Sequence, residues 1–274
     1  MRKSLFLCSL LLLTSCAALK NLLSGAFTKP TLTFKRADLA NVSLSGATVN
    51  LIYELHNPNS IGISLASVDY LFKVEGHQVA AGKPPNGFKV AANGTSQVVF
   101  PAQVKFADLG SVLQVFLKKS AANYEASGHV GVDTPIGVLS FPLEKKGTFP
   151  VPKVPAVVFG SPKVTQLSLS GATFSIPLAV TNHNPFPLPV GEVAGNLKIG
   201  GVSVGQITSG GLGSLTSNQT RTVSLPVSVN FASAGMGLFN VLKGGSHPVQ
   251  FSGGLQSGGA EVPVSTSQVL KILN

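Results

Sequence analysis

The chain has 274 residues, enough for two domains that each bury a core. Only 11% of residues are charged and 44% are hydrophobic, with 30 Gly and 18 Pro, which excludes a disordered chain and points to an all-β protein rich in turns. The formal charge of +10 falls to +8 without Arg2 and Lys3; the lysines are dispersed, with no basic block interleaved with aromatics, so nucleic acid is not an expected partner.

Arg2 and Lys3 precede an apolar run, Leu5 to Leu13, that is too short to span a bilayer comfortably. Leu13-Thr14-Ser15-Cys16 follows and resembles the lipobox of bacterial lipoproteins. The resemblance implies cleavage before Cys16, acylation of that residue, and anchoring without a transmembrane helix. Cys8 would leave with the leader, so no disulfide is expected. Ala17 stands where inner-membrane lipoproteins often carry Asp, which implies the outer membrane, facing the periplasm. Residues 1–15 are read as the signal peptide and 16–30 as a tether.

The chain then repeats itself. Val42-Ser43-Leu44-Ser45-Gly46-Ala47-Thr48-Val49 returns as Leu167-Ser168-Leu169-Ser170-Gly171-Ala172-Thr173-Phe174, 125 positions later. That spacing exceeds solenoid periods, which reach roughly 50 residues, and suits a small domain used twice. Residues 31–149 and 157–274 are taken as the two copies, joined by a stiff linker, 150–156, containing Pro150, Pro152 and Pro155.

In order, Thr31 to Lys35 opens the first copy as a strand. Val49, Leu51, Tyr53 and Leu55 alternate in the next, as do Phe174, Ile176, Leu178 and Val180 in the second copy. An Asn-Pro step ends each strand, His56-Asn57-Pro58-Asn59 and His183-Asn184-Pro185, which places a two-residue insertion in copy two. Proline fixes φ and asparagine satisfies turn backbone, so these residues are read as structural. Val68, Tyr70, Phe72 and Val74 lead to a hairpin at Gly76-His77, and Val193, Gly195, Leu197 and Ile199 to one at Gly200-Gly201. Pro101 and Pro226 share one offset within strands, which predicts an edge or a bulge in both copies. Leu109, Val112, Leu113 and Phe116 have helical spacing behind Asp108; Ala234 to Lys243 is a weaker, glycine-diluted version. Final hairpins turn at Asp133-Thr134-Pro135 and Ser257-Gly258-Gly259. The fold class expected is all-β, two tandem immunoglobulin- or fibronectin-like antiparallel sandwiches, each with about seven strands and one short helix.

This order of strand, Asn-Pro step, antiparallel remainder and helix resembles the water-stress-and-hypersensitive-response (WHy) domain, the late embryogenesis abundant type 2 family. The resemblance covers nearly the whole mature chain, and its most specific piece is His56-Asn57-Pro58-Asn59. It implies no enzyme activity, no cofactor, and protection against desiccation or other stress through contact with partly unfolded proteins, envelope proteins or the membrane surface. A structural or lipid-binding envelope component is the other reading, distinguished by whether the interior is filled or hollow.

Chemistry elsewhere is sparse. Gly201-Val202-Ser203-Val204-Gly205 matches a hydrolase elbow, but lies in a hairpin rather than between strand and helix, and no histidine follows Glu261. His56, His77, His129, His183 and His247 lack metal-ligand spacing, so no metal is expected. No phosphate loop joins a strand to a helix.

Overall fold

A computed structural model describes residues 27–82, 88–112 and 118–273. The chain forms two compact units. Among the described residues, one comprises those up to Ala40, Thr48–Val104 and Ala122–Phe149; the other comprises those in Asn41–Ala47, Lys105–Ala121 and from Pro150 onward. Cys16 lies outside the described residues.

In the first unit β1 (Thr31–Ala40), β2 (Gly46–His56) and β6 (Thr95–Lys105) form one antiparallel sheet in the order β1-β2-β6. The facing sheet runs β4 (His77–Gly82), β3 (Ile63–Val74), β7 (Ala121–Thr134), β8 (Gly137–Pro150), with β5 (Lys89–Val90) also on β3. The alternation seen in the sequence is the reason these strands exist. Val49, Leu51, Tyr53 and Leu55 are all buried, as are Val68, Tyr70, Phe72 and Val74 opposite them. Their rings fill the interior: Tyr53 meets Phe34 and Phe100 edge-on at centroid distances of 5.3 and 5.5 Å, and Phe72 stacks on Tyr124 at 5.3 Å. Such pairs add about 0.5–1.5 kcal/mol each beyond area burial. The Tyr70 hydroxyl donates to the carbonyl of Pro101, tying the two sheets together.

The second unit repeats the plan. β10 (Lys163–Leu167), β11 (Gly171–Thr181) and β16 (Thr220–Asn230) form one sheet, with β9 (Ala156–Phe159) also on β11. The other sheet runs β14 (Val202–Thr208), β13 (Val193–Ile199), β17 (Gly245–Ser257), β18 (Ala260–Ile272); β12 (Leu188–Val190) and β15 (Gly213–Leu215) form a separate pair. Phe174, Ile176, Leu178 and Val180 are buried on the inner face of β11. Pairings sit at a constant offset of 125: Leu32 opposes Leu55, and Val157 opposes Val180. What β1 does as one bulged strand, β9 and β10 do as two, interrupted at Gly160-Ser161-Pro162.

The tandem β-sandwich class expected from the sequence is the class observed. β6 and β16 each pair on one side only, with β2 and β11, so Pro101 and Pro226 occupy edge strands, where a missing N–H costs nothing. Glu75-Gly76, Gly200-Gly201 and Gly258-Gly259 all have positive φ at both positions, the geometry of two-residue hairpin turns. The helices differ from expectation. In the first copy a 3₁₀ helix spans Phe106–Val112, kinked at Gly110, with Leu109 buried; Leu113 and Phe116 lie outside the described residues. In the second copy the single expected helix is two, α1 (Phe231–Ala234) and α2 (Met236–Leu242). Gly235 separates them at φ 89, ψ 148, a conformation that side-chain-bearing residues avoid. Asn230 caps α1, accepting from the Ala232 amide at 2.8 Å.

All three tyrosines of the chain belong to the first unit. The Tyr53 hydroxyl is buried without a hydrogen-bond partner, and burial, with the nearby Tyr124, pushes its pKa up to about 12. Burial raises Tyr70 and Tyr124 as well. A phenol is neutral when protonated, so a raised folded pKa gives stability that is complete below pH 10 and is lost as pH climbs through 12. Alkaline titration followed by tyrosinate absorbance and circular dichroism should show Tyr53 ionising together with loss of the first unit. Reversible ionisation of all three tyrosines near pH 10 with the sheets intact would contradict this.

Candidate functional site

The Asn-rich step after β2 is a closed hydrogen-bonded clasp. Asn57 is fully buried and uses all of its side-chain capacity. Its amide nitrogen donates to the carbonyls of Ile61 at 2.8 Å and Ala91 at 3.0 Å. Its oxygen accepts from the backbone and side-chain nitrogens of Asn59, at 3.2 and 3.0 Å. Asn59 then reaches back along the chain. Its oxygen accepts from the Thr28 amide and its nitrogen donates to the Thr28 carbonyl, both at 2.8 Å. The pair thus imitates a strand bridge and fixes the segment entering β1.

The second copy builds the same clasp from Asn182 and Asn184. Asn182, also fully buried, donates to the carbonyls of Phe186, Leu215 and Thr216 at 2.9, 3.0 and 3.1 Å. It accepts from Asn184 at 3.0 Å (backbone) and 2.8 Å (side chain). Asn184 brackets Lys153, accepting from its amide at 2.7 Å and donating to its carbonyl at 2.9 Å. Apart from the additional bond to Leu215, the partners keep the 125-residue offset: Thr28 and Lys153, Ile61 and Phe186, Ala91 and Thr216.

This corrects the register read from the sequence. There is no two-residue insertion: the counterpart of Asn57 is Asn182, and Asn184 is the counterpart of Asn59. The second Asn is therefore present in both copies, and the shared pattern is Asn-x-Asn. His56 corresponds to Thr181, not His183. It bonds Thr95 through Nδ1 at 2.9 Å, as Thr181 bonds Thr220 at 2.8 Å. Pro58 corresponds to His183, which is exposed, and Pro185 is exposed one residue beyond the clasp. Strands β2 and β11 end at His56 and Thr181 alike. An asparagine clasp, rather than a proline, stops them. No proline follows Asn182 to mark it in the sequence; the constant offset is the signal that does.

Every side-chain N–H of the clasp is spent on the protein itself, so its chemistry is structural. An open pocket of about 380 Å³ adjoins it in the first unit, bordered by Phe27, Pro58, Asn59, Ile61 and Pro135. Ser203 lies on β14 within a hairpin, away from any strand-to-helix turn. Among the described residues no three His, Cys, Asp or Glu side chains converge to hold a metal.

Fold and clasp together define a tandem β-sandwich protein in which one structural motif is used twice. A family model described as late embryogenesis abundant protein matches residues 54–147 and 177–268. The chain belongs to that family, and both repeats carry its domain. No curated protein matches the chain. Similar solved structures include a protein from Archaeoglobus fulgidus, at 12% identity over 43% of this chain and 97% of that one, with a TM-score of 0.36. Another is a protein from Arabidopsis thaliana, at 22% identity over 47% of this chain and 85% of that one, with a TM-score of 0.39.

Proposed function

We propose that this protein is a non-enzymatic lipoprotein of the cell envelope that protects partly unfolded proteins, or the membrane surface, during water loss. The observation that carries the reading is the family match over both repeats, at positions that include each clasp or the strand leading out of it. The ring-filled interior of the first unit and the apolar core of the second favour a protectant over a lipid carrier, which needs a hollow core. Contact would be weak and made by the outside of the sheets, where Leu71, Val99 and Val158 are exposed.

The test is a desiccation assay. A dehydration-sensitive enzyme is dried and rehydrated with the full chain or with an equal mass of serum albumin. Greater recovered activity with the chain is expected; equal recovery would reject protection. The anchor is tested separately. The chain expressed in a Gram-negative host should incorporate a fatty-acid analogue and sediment with outer membranes facing the periplasm. Cys16→Ser should abolish labelling and release the protein. Membrane retention and labelling that survive the substitution would remove Cys16 from the proposal.

A further inference from the structure

β18 lies at the edge of its sheet, with β17 on one side and no strand of the described residues on the other. The turn that leads into it, Gly258-Gly259, has φ of 59° and 82°, which makes Ser257 and Ala260 the hydrogen-bonded pair that closes a two-residue hairpin. From there the register runs without a bulge to Gly245 opposite Ile272. Even-numbered residues of β18 therefore turn their N–H and C=O toward β17, and odd-numbered ones turn theirs outward. Leu273 bears out this parity. Its amide donates outward to the Pro162 carbonyl at 2.8 Å, and its carbonyl accepts from the Val164 amide at 2.7 Å. Among the described residues nothing takes the outward backbone groups of Glu261, Ser265, Ser267, Val269 and Lys271, and all five side chains are exposed.

An open edge of this length invites another strand. The first copy guards its own: β8, at the edge of its sheet, carries Glu144, Lys145 and Lys146 in a run. β18 has no charge between Glu261 and Lys271, and Val269 stands 72% exposed there. Glu261 and Lys271 have opposite signs, and neither has an ion-pair partner among the described residues. We infer that β18 pairs antiparallel with β18 of a second copy, across a two-fold axis at Thr266. Odd residues must meet odd ones for the outward groups to bond, and this axis sets Glu261 opposite Lys271 of the second copy. It also sets Ser265 against Ser267 and Pro263 against Val269. On the inner face it sets Val262 against Leu270, both only partly buried at the rim of the core. An axis at Ser265 would instead oppose Glu261 to Val269, and one at Ser267 would oppose Lys271 to Pro263. The contact uses the same surface on both copies, so it closes as a dimer and consumes the open edge.

Crosslinking of the full chain in detergent reads the register. A two-fold at Thr266 brings the two Thr266 Cα atoms to about 4.5 Å, the spacing of a non-hydrogen-bonded pair and within disulfide reach. Under mild oxidation Thr266→Cys should give a crosslinked dimer beyond the wild-type level, which accounts for Cys8 and Cys16. Val264→Cys should not, but Val264→Cys mixed with Gln268→Cys should. In sedimentation velocity Lys271→Glu should demand about tenfold more protein for the same dimer, since two symmetric ion pairs become repulsions. Adding Glu261→Lys should restore association. Ser267→Pro removes an outward N–H that the fold does not use, so it should abolish the dimer while circular dichroism stays unchanged. The charge variants lie at exposed positions and test the contact even if that proline impairs folding. A monomer at every concentration would overturn the proposal, as would equal crosslinking of Thr266→Cys and Val264→Cys, or a Glu261→Lys change that fails to rescue Lys271→Glu.

Discussion

Asn57→Ala should cost the first unit about 3–5 kcal/mol, well beyond an ordinary surface-cap loss. The fully buried side chain satisfies two carbonyls, of Ile61 and Ala91, and the two nitrogens of Asn59, whose bonds are buried. Removing it takes the acceptor from two buried nitrogens of Asn59, each worth about 1–3 kcal/mol. It also frees Asn59, and with it the bracket on Thr28. Asn182→Ala should destabilise the second unit by a similar amount, because its network is the same. Pro58→Ala should cost only about 0.5–1 kcal/mol, the usual entropy of a loop proline, since the second copy carries His183 at that place. Denaturant titration of the three variants decides the matter. An Asn57→Ala protein within 1 kcal/mol of wild type, beside a severely weakened Pro58→Ala, would return the strand exit to the proline.

Gly253→Ala should cost more than about 4 kcal/mol and could leave the second unit unfolded, a size reserved for cores that cannot relax. Gly253 opposes Gly195 across β17 and β13. A Cβ on Gly253 would lie 2.1 Å from the Ala194 carbonyl oxygen, 2.6 Å from Gly195 Cα and 2.7 Å from the Phe251 ring. Two of these are backbone atoms, so relief requires moving a strand rather than turning a side chain. The first unit has the same crowding at Gly128, whose Cβ would lie 2.0 Å from the Asp69 oxygen. Gly254→Ala is the control. The three atoms nearest its Cβ would all belong to Glu261, a flexible and exposed side chain that can swing away, so a change within about 1 kcal/mol is expected. Equal melting temperatures for Gly253→Ala and wild type would show that the two strands stand further apart than this geometry has them.

Much of the fold was readable because burial here follows the two-residue period of a strand. Val49 to Leu55 and Phe174 to Val180 alternate in the sequence and line the cores in the structure. Pro101 and Pro226 announced their edges through a missing donor. The clasp was half readable. Asn57, Asn59 and Asn184 stand out in the sequence, but the Asn-Pro dipeptide lies two positions later in the second copy and passes over Asn182. What matters physically is the amide that spans Ile61 and Ala91, and that requirement leaves no mark on the next residue. Leu44 and Leu169 were beyond reach for a different reason. Their neighbours in sequence are nearly identical, and burial of one but not the other depends on residues more than 200 positions away, at Ser257 and Gly258. In the sequence Gly235 only weakens a helix; its positive φ, which splits that helix in two, is a property of the folded turn.

The placement of the tyrosines makes the two halves optically unequal. The chain has three tyrosines and no tryptophan, and the residues at the matching places of the second copy are Leu178, Gly195 and Val249. Tyrosine emission therefore reports the first half alone. A chain whose halves melt at different temperatures would give a single emission transition and a two-step loss of far-ultraviolet ellipticity. The difference between the two traces isolates the second half without a label, a truncation or a mutation.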